Sequence, residues 1–466
     1  MPGFITSTSL HLCLHKQRGA ALMVMLVIFI IGSVAFMVNA LSRAGLQIER
    51  DKITADALAQ AKDALISYAA SVAISSATTG NNPRPGDLPC PDNHPLGDPN
   101  EGSPSSTCDN QAERLGRLPW KKLGLPDLRD SNGERLWYAV SINFKNKTRN
   151  GTLNSDTPGT LTIRDSSGNI INNGCTTIGA NCPAPGATDA PFGTGAVAII
   201  IAPGSVLQRQ GGVQQDRSSA GYNTPSNYLD IVTGIEDNAN FSDSTSNNGF
   251  IKGLVKDISG KVTLVNDQIL SITQDNIMQA IQKRVAGEVK NCLDEYAFNN
   301  NGRYPWAVPL TDLTNYQDQT DQLFGRIPDN LGSTYSDSGS VMSNVWGICL
   351  THNSNTASTW WKQWREIVFY GLSDAYKPVT PPSTTATCTP STCLSVGPTS
   401  TATDKKYVVI VAGKMLATQL LRNTGNQSNP SFYLEGGNQS ADQSGAYVYT
   451  QNSPTPTFND TVVYKQ

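Results

Sequence analysis

The stretch VKNCLDEYA at 289–297 repeats AKDALISYA at 61–69, sharing Lys62/Lys290, Leu65/Leu293, Tyr68/Tyr296 and Ala69/Ala297. Internal repetition has to be settled before single motifs are weighed, and here the order of features holds downstream of both copies. NNPRPGDLPC precedes LGRLP (115–119), as NNNGRYPW precedes FGRIP (324–328). RLWYAVSINF parallels EIVFYGLSDAY, aligning Tyr138 with Tyr370 and Ser141 with Ser373, and VAIIIAPGSVL parallels YVVIVAGKML, aligning Ala202 with Ala412. NYLD (227–230) parallels FYLE (432–435), and NFSD (240–243) parallels TFND (457–460).

Each copy reads as helix, irregular loop, aromatic strand, cysteine loop, apolar strand and short strand. That order predicts an α+β fold in which a helix packs on an antiparallel sheet, twice. The alternation in RLWYAVSINF fits a sheet with one wet face, and VAIII fits a strand covered on both. Ile277, Ile281, Val285, Val289 and Leu293 draw the apolar stripe of the second helix, with Thr273 or Asp275 as N-cap. The boundary is expected near 263–275, giving a first unit at 76–273 and a second at 274–466.

The 466 residues exceed what one compact core usually holds. A net charge of −3 and no Lys/Arg cluster give no direct evidence for nucleic-acid binding. Of nine cysteines, Cys13 precedes a long apolar run and eight follow it, an even number that suits an oxidising compartment. The pairs Cys175–Cys182 and Cys388–Cys393 fall in the same loop of each copy, and the remaining pairs would be Cys90–Cys108 and Cys292–Cys349. Eight cysteines allow 105 arrangements, so this connectivity is an expectation. There is no CxxC, and His11, His15, His94 and His352 are scattered, which argues against zinc.

The apolar run lies in KQRGAALMVMLVIFIIGSVAFMVNAL (16–41). Uncharged from Ala20 to Leu41, with Lys16 and Arg18 in front, it is long enough for a transmembrane helix with a cytoplasmic N-terminus. Three readings fit: a signal anchor, a secretory signal cut behind Val38-Asn39-Ala40, or a leader cut in front of a retained helix. Beyond Ala40, LSRAGLQIERDKITADALAQAKDALISYAASVAI has no proline, and Ile53, Ala57, Ala61 and Leu65 recur at i+4. That predicts one continuous helix over 20–75, transmembrane and then amphipathic, about 80 Å long at 1.5 Å per residue.

The segment resembles the type IV pilin and type II secretion pseudopilin superfamily. The matching residues are the basic Lys16-Gln17-Arg18, Gly19 as last leader residue and Ala20 as new N-terminus. The resemblance covers roughly the first 75 residues. It implies a leader at 1–19, cleavage between Gly19 and Ala20 with N-methylation of Ala20 by a prepilin peptidase, and pilin-like head units. It also implies a single-pass inner-membrane protein with its head in the periplasm or at a filament tip. Its partners would be other pilin-like subunits and an inner-membrane assembly platform. Most members carry Glu at mature position five; here that residue is Val24, which favours a tip subunit over a major one.

CPDNHPLGDPNEG (90–102) gathers Asp92, Asn93, Asp98, Asn100 and Glu101, oxygen ligands of the kind calcium takes, although the spacing is not that of an EF-hand and the composition is ordinary turn material. No other cofactor is indicated. Trp306, Trp346, Trp360, Trp361 and Trp364 crowd the second copy, either as core or as an aromatic binding surface. No GxSxG, HExxH or P-loop pattern points to an enzyme. The expected function is a minor pilin or pseudopilin in filament assembly, secretion or adhesion. The alternative is a secreted or surface binding protein released by cleavage after Ala40.

Overall fold

AVAIIIA at Ala196–Ala202 is built of small and β-branched residues, and every one is buried. This strand anchors the first of two four-stranded sheets in the computed structural model. The structure describes residues 18–72, 83–148, 151–175, 194–242, 249–260, 262–312, 314–329, 331, 360–379, 386–398, 402–419, 422–423, 425–439 and 448–466, without the side chains of 18–22, 35 and 38–44. The chain divides into a unit at 1–55 and a larger one at 56–466.

In the larger unit the first sheet runs β1 (Leu115–Arg117), β2 (Trp137–Val140), β5 (Ala196–Ala202) and β11 (Gln268–Thr273), each neighbour antiparallel. Small additions flank it: β3 (Ile163–Arg164) with β4 (Ile170–Asn172) and β8 (Phe250–Ile251), β6 (Ile231–Val232) with β7 (Glu236–Asp237), and β9 (Val255–Lys256) with β10 (Thr263–Val265). The second sheet has the same order: β12 (Phe324–Arg326), β13 (Val368–Leu372), β15 (Tyr407–Val411) and β17 (Thr461–Lys465). Beside it β14 (Ser395–Gly397) pairs in parallel with β16 (Val448–Thr450), as β3 does with β8.

Side chains obey the two-residue period of a strand. Tyr138, Val140 and Ile200 enter a core with Leu58, Ala61 and Leu65 of helix α1 (Arg18–Ser71), whereas Trp137, Ala139, Ile199 and Ile201 enter a second core with Leu161, Tyr228 and Phe250. The hydroxyl of Tyr138 donates to Pro89 O, and that of Tyr370 to Pro305 O, both at 3.1 Å. Helix α2 (Gln274–Asn299) starts where β11 ends. Thr273 caps it, its N–H donating to Asn276 Oδ1 at 3.1 Å, and the stripe from Ile277 to Leu293 is fully buried. One continuous core contains α2, the end of α1 and the inner faces of both sheets, so 56–466 is one compact unit across the 273/274 junction.

The expected fold needs correction. The described regular elements are mostly strands, seventeen of them against few helices, and among the described residues no helix is long and apolar enough to cross a membrane. The transmembrane-plus-amphipathic helix therefore falls as the defining element of the fold. The single-pass inner-membrane location with a periplasmic head falls with it. Of the amphipathic stripe, Ala57, Ala61 and Leu65 are buried but Ile53 is 45% exposed.

Candidate functional site

The chemistry-bearing groups that the fold brings together are two buried carboxyl pairs, one per sheet. In the first, a turn begun by Pro225 presents Tyr228-Leu229-Asp230, and the chain entering β11 presents Asp267. Asp267 Oδ2 accepts from Asp230 N at 2.9 Å and from Asn238 Nδ2 at 2.8 Å; Asp230 Oδ1 accepts from Gln215 Nε2 at 2.8 Å. In the second, Pro430 begins the turn to Tyr433-Leu434-Glu435. Asp460 Oδ2 accepts from Glu435 N at 3.0 Å and from Asn438 Nδ2 at 2.9 Å, and Glu435 Oε1 accepts from Gln419 Nε2 at 2.7 Å. Both glutamines are held by an arginine, Arg217 and Arg422, at 3.1 and 3.2 Å.

These acids are at most 5% exposed, and Asp267 Oδ1 and Asp460 Oδ1 meet no donor among the described residues. Burial is the first cause of their raised pKa values, followed for Asp267 and Asp460 by the neighbouring carboxylate. Asp230 is pushed up to about 6, Glu435 is raised, and Asp267 and Asp460 lie well above the ordinary carboxyl range. In each pair, burial and the neighbouring carboxylate thus favour the protonated form. Sealed from solvent, the pairs act on the fold, closing the sheet edge onto the Tyr-Leu-acid turn.

A buried arginine accompanies each pair. Arg117 packs over Trp137 and Tyr228 at 5.0 and 5.5 Å, and Arg326 over Phe369 and Tyr433 at 3.7 and 4.7 Å. Complete burial lowers the Arg326 guanidinium to about 10.

The site corrects two sequence alignments. Asp460 of TFND matches Asp267 of LVND (264–267) in its bonds, not NFSD (240–243). Ile201 faces Trp137 as Ile410 faces Phe369, so Ala202 corresponds to Val411 and not to Ala412. The shared Asn-Asp at 266–267 and 459–460 was the signal available for the first.

Cys90–Cys108 and Cys388–Cys393 are disulfides. Cys175 and Cys292 are also disulfide-bonded, while Cys182 and Cys349 lie outside the described residues. Gly19 and Ala20 fall in the first turn of α1, their side chains not described. In the 90–102 loop, Asp92 Oδ2 accepts from Gly102 N at 2.6 Å, Asp98 Oδ1 from Asn100 N at 2.7 Å, and Glu101 engages Arg135 and Tyr222. These groups are occupied by the chain itself, and among the described residues no cluster of His, Cys, Asp or Glu is placed to hold a metal. Trp306, Trp360, Trp361 and Trp364 are buried, which overturns the aromatic-surface reading for them; Trp346 lies outside the described residues.

Segment 23–37 of α1 is different in kind: Met23, Val24, Phe29, Ile31, Phe36 and Met37 are each between 58% and 82% exposed. A cavity of about 560 Å3 beside Met278, Met415 and Leu416 has the size of a small-ligand site, but Asp275 and Lys414 in its lining neutralise each other at 2.6 Å. No protein-family model, no curated protein and no solved structure matches the chain.

Proposed function

We propose that the protein is a minor subunit of a pilin- or pseudopilin-like filament, acting in assembly, secretion or adhesion through contacts with other pilin-like subunits. The observation that supports this most directly is segment 23–37, a helix apolar on all sides with large side chains left uncovered. A helix of that kind is stable in water only when other apolar surface surrounds it. Parallel helices of neighbouring subunits provide such a cover along its whole length. The disulfides agree with maturation in an oxidising compartment.

The test is the N-terminus and the company of the mature protein. Intact-mass analysis and N-terminal sequencing of protein recovered from producing cells should find an N-methylated Ala20, and Gly19→Ala should block its formation. Phe29→Asp, which puts a charge among the exposed apolar side chains, should abolish co-isolation with pilin-like subunits. A mature chain beginning at Leu41 would refute the filament reading and establish a released binding protein.

A further inference from the structure

The segment 151–157 belongs by sequence to the first sheet's half, yet four consecutive residues of it, Leu153 to Asp156, hydrogen-bond to the second. Gln363, from the one-turn helix α3 (Trp360–Trp364), accepts at Oε1 from Leu153 N at 2.8 Å and at its carbonyl from Asn154 Nδ2 at 2.9 Å. Two glutamines of α2 reach the next residue: Gln274 Nε2 donates to Ser155 O at 2.5 Å and Gln282 Nε2 to Ser155 Oγ at 3.0 Å. Asp156 then accepts from Met415 N at 3.1 Å and from Arg422 Nη1 at 2.8 and 3.0 Å. Leu153 is fully buried below this row.

Arg422 makes the comparison between the halves informative. Its counterpart Arg217 holds Gln215 in the same way but pairs with Glu134 of its own half, at 3.2 Å. Arg422 holds Gln419 and pairs with Asp156 of the other half. One arginine position is thus used internally in the first copy and across the junction in the second. Through Gln419 and Glu435, Asp156 is also joined to the buried carboxyl pair of the second sheet.

From this placement we infer that 151–157 is a clasp, with Asp156 as its central residue, that locks the two duplicated sheets into one orientation and one cooperative unit. The shared apolar core is non-directional, whereas the hydrogen bonds to Gln274, Gln282 and Gln363, and an ion pair in which Arg422 Nη1 meets both oxygens of Asp156, specify partners across the junction. The clasp does not depend on the filament reading. It adds that whatever the head engages, it engages with both halves fixed as one body.

Hydrogen exchange on the full chain, disulfides intact, tests the clasp in two ways. In the unmodified protein the amides of Leu153 and Met415, whose acceptors lie across the junction, should be protected as strongly as those of β5 and β15. Exchange of these two amides at the rate of exposed loops would overturn the clasp without any variant. In the double variant Asp156→Ala with Gln363→Ala, protection of β2 and β5 should separate from that of β13 and β15 by about tenfold or more, as two units now opening independently. Glu134→Gln, which breaks the matching pair inside one half, should show no such effect across the junction. If the double variant lowers protection in both halves equally, or fails to fold while Leu153 and Met415 exchange freely in the unmodified protein, the inference is wrong.

Discussion

The buried carboxyl pairs make stability depend on pH in a direction opposite to ordinary acid denaturation. Asp230 is held at about 6 by burial, against 3.8 for an unperturbed aspartate. A folded-state value above the unfolded one means that the native protein binds more protons in that interval. The stabilisation is complete below the unfolded value and is lost as pH rises through the folded one. Roughly two units at 1.36 kcal/mol each give a loss of about 3 kcal/mol between pH 4 and pH 7 from this group. Asp267, Glu435 and Asp460 are shifted the same way and add to it. Asp294, held low by Lys290, Lys465 and Tyr407 despite partial burial, acts below this window. Asp267→Asn is the sharpest perturbation. It keeps an acceptor for Asp230 N and Asn238 Nδ2, removes the second carboxylate, and puts an amide nitrogen, a donor, in place of the oxygen that meets no donor. Urea denaturation at half-unit steps from pH 4 to pH 8 should show the parent protein losing stability with rising pH, and Asp267→Asn should have a shallower slope. Adding Asp460→Asn should flatten it further. A parent protein that gains stability over this range, or a variant with the parent's slope, would refute this account of the pairs.

Other consequences can be checked by denaturation. A Cβ at Gly325 would collide with the carbonyl of Val308, whose N–H and C=O bracket Arg326, so Gly325→Ala should cost about 2 kcal/mol or more by parting that bridge. Trp361→Ala should cost about 3–5 kcal/mol, because the ring is fully buried; a stable, well-folded variant would restore the surface reading. Removing Cys388–Cys393, separated by 5 residues, should cost about 2 kcal/mol, and removing Cys90–Cys108, separated by 18, about 3 kcal/mol on the chain-entropy model.

Much of the head's plan was legible along the chain. The stripe of α2 from Ile277 to Leu293, the fully buried AVAIIIA strand and the Tyr-Leu-acid turns each follow from local periodicity or turn chemistry, which neighbours in sequence suffice to encode. The carboxyl pairing was less legible. NFSD and LVND both end in Asp, and only the register of β11 against β5 says which aspartate meets Asp230. The apolar run at 20–41 shows the reverse case, where composition alone pointed to a span that the described helix does not show.

What the sequence by itself determined is the inventory and its duplication: two sets of strands in one order, the parallel NYLD and FYLE motifs, and two cysteines in each of two matching loops. What only the tertiary structure decided is how the copies are joined. Asp156 meets Arg422 across 266 residues, and Gln363 meets Leu153 across 210. Periodicity reports which face of an element is apolar. It carries no information about which polar group, hundreds of residues away, will lie within 3 Å once two such faces share a core.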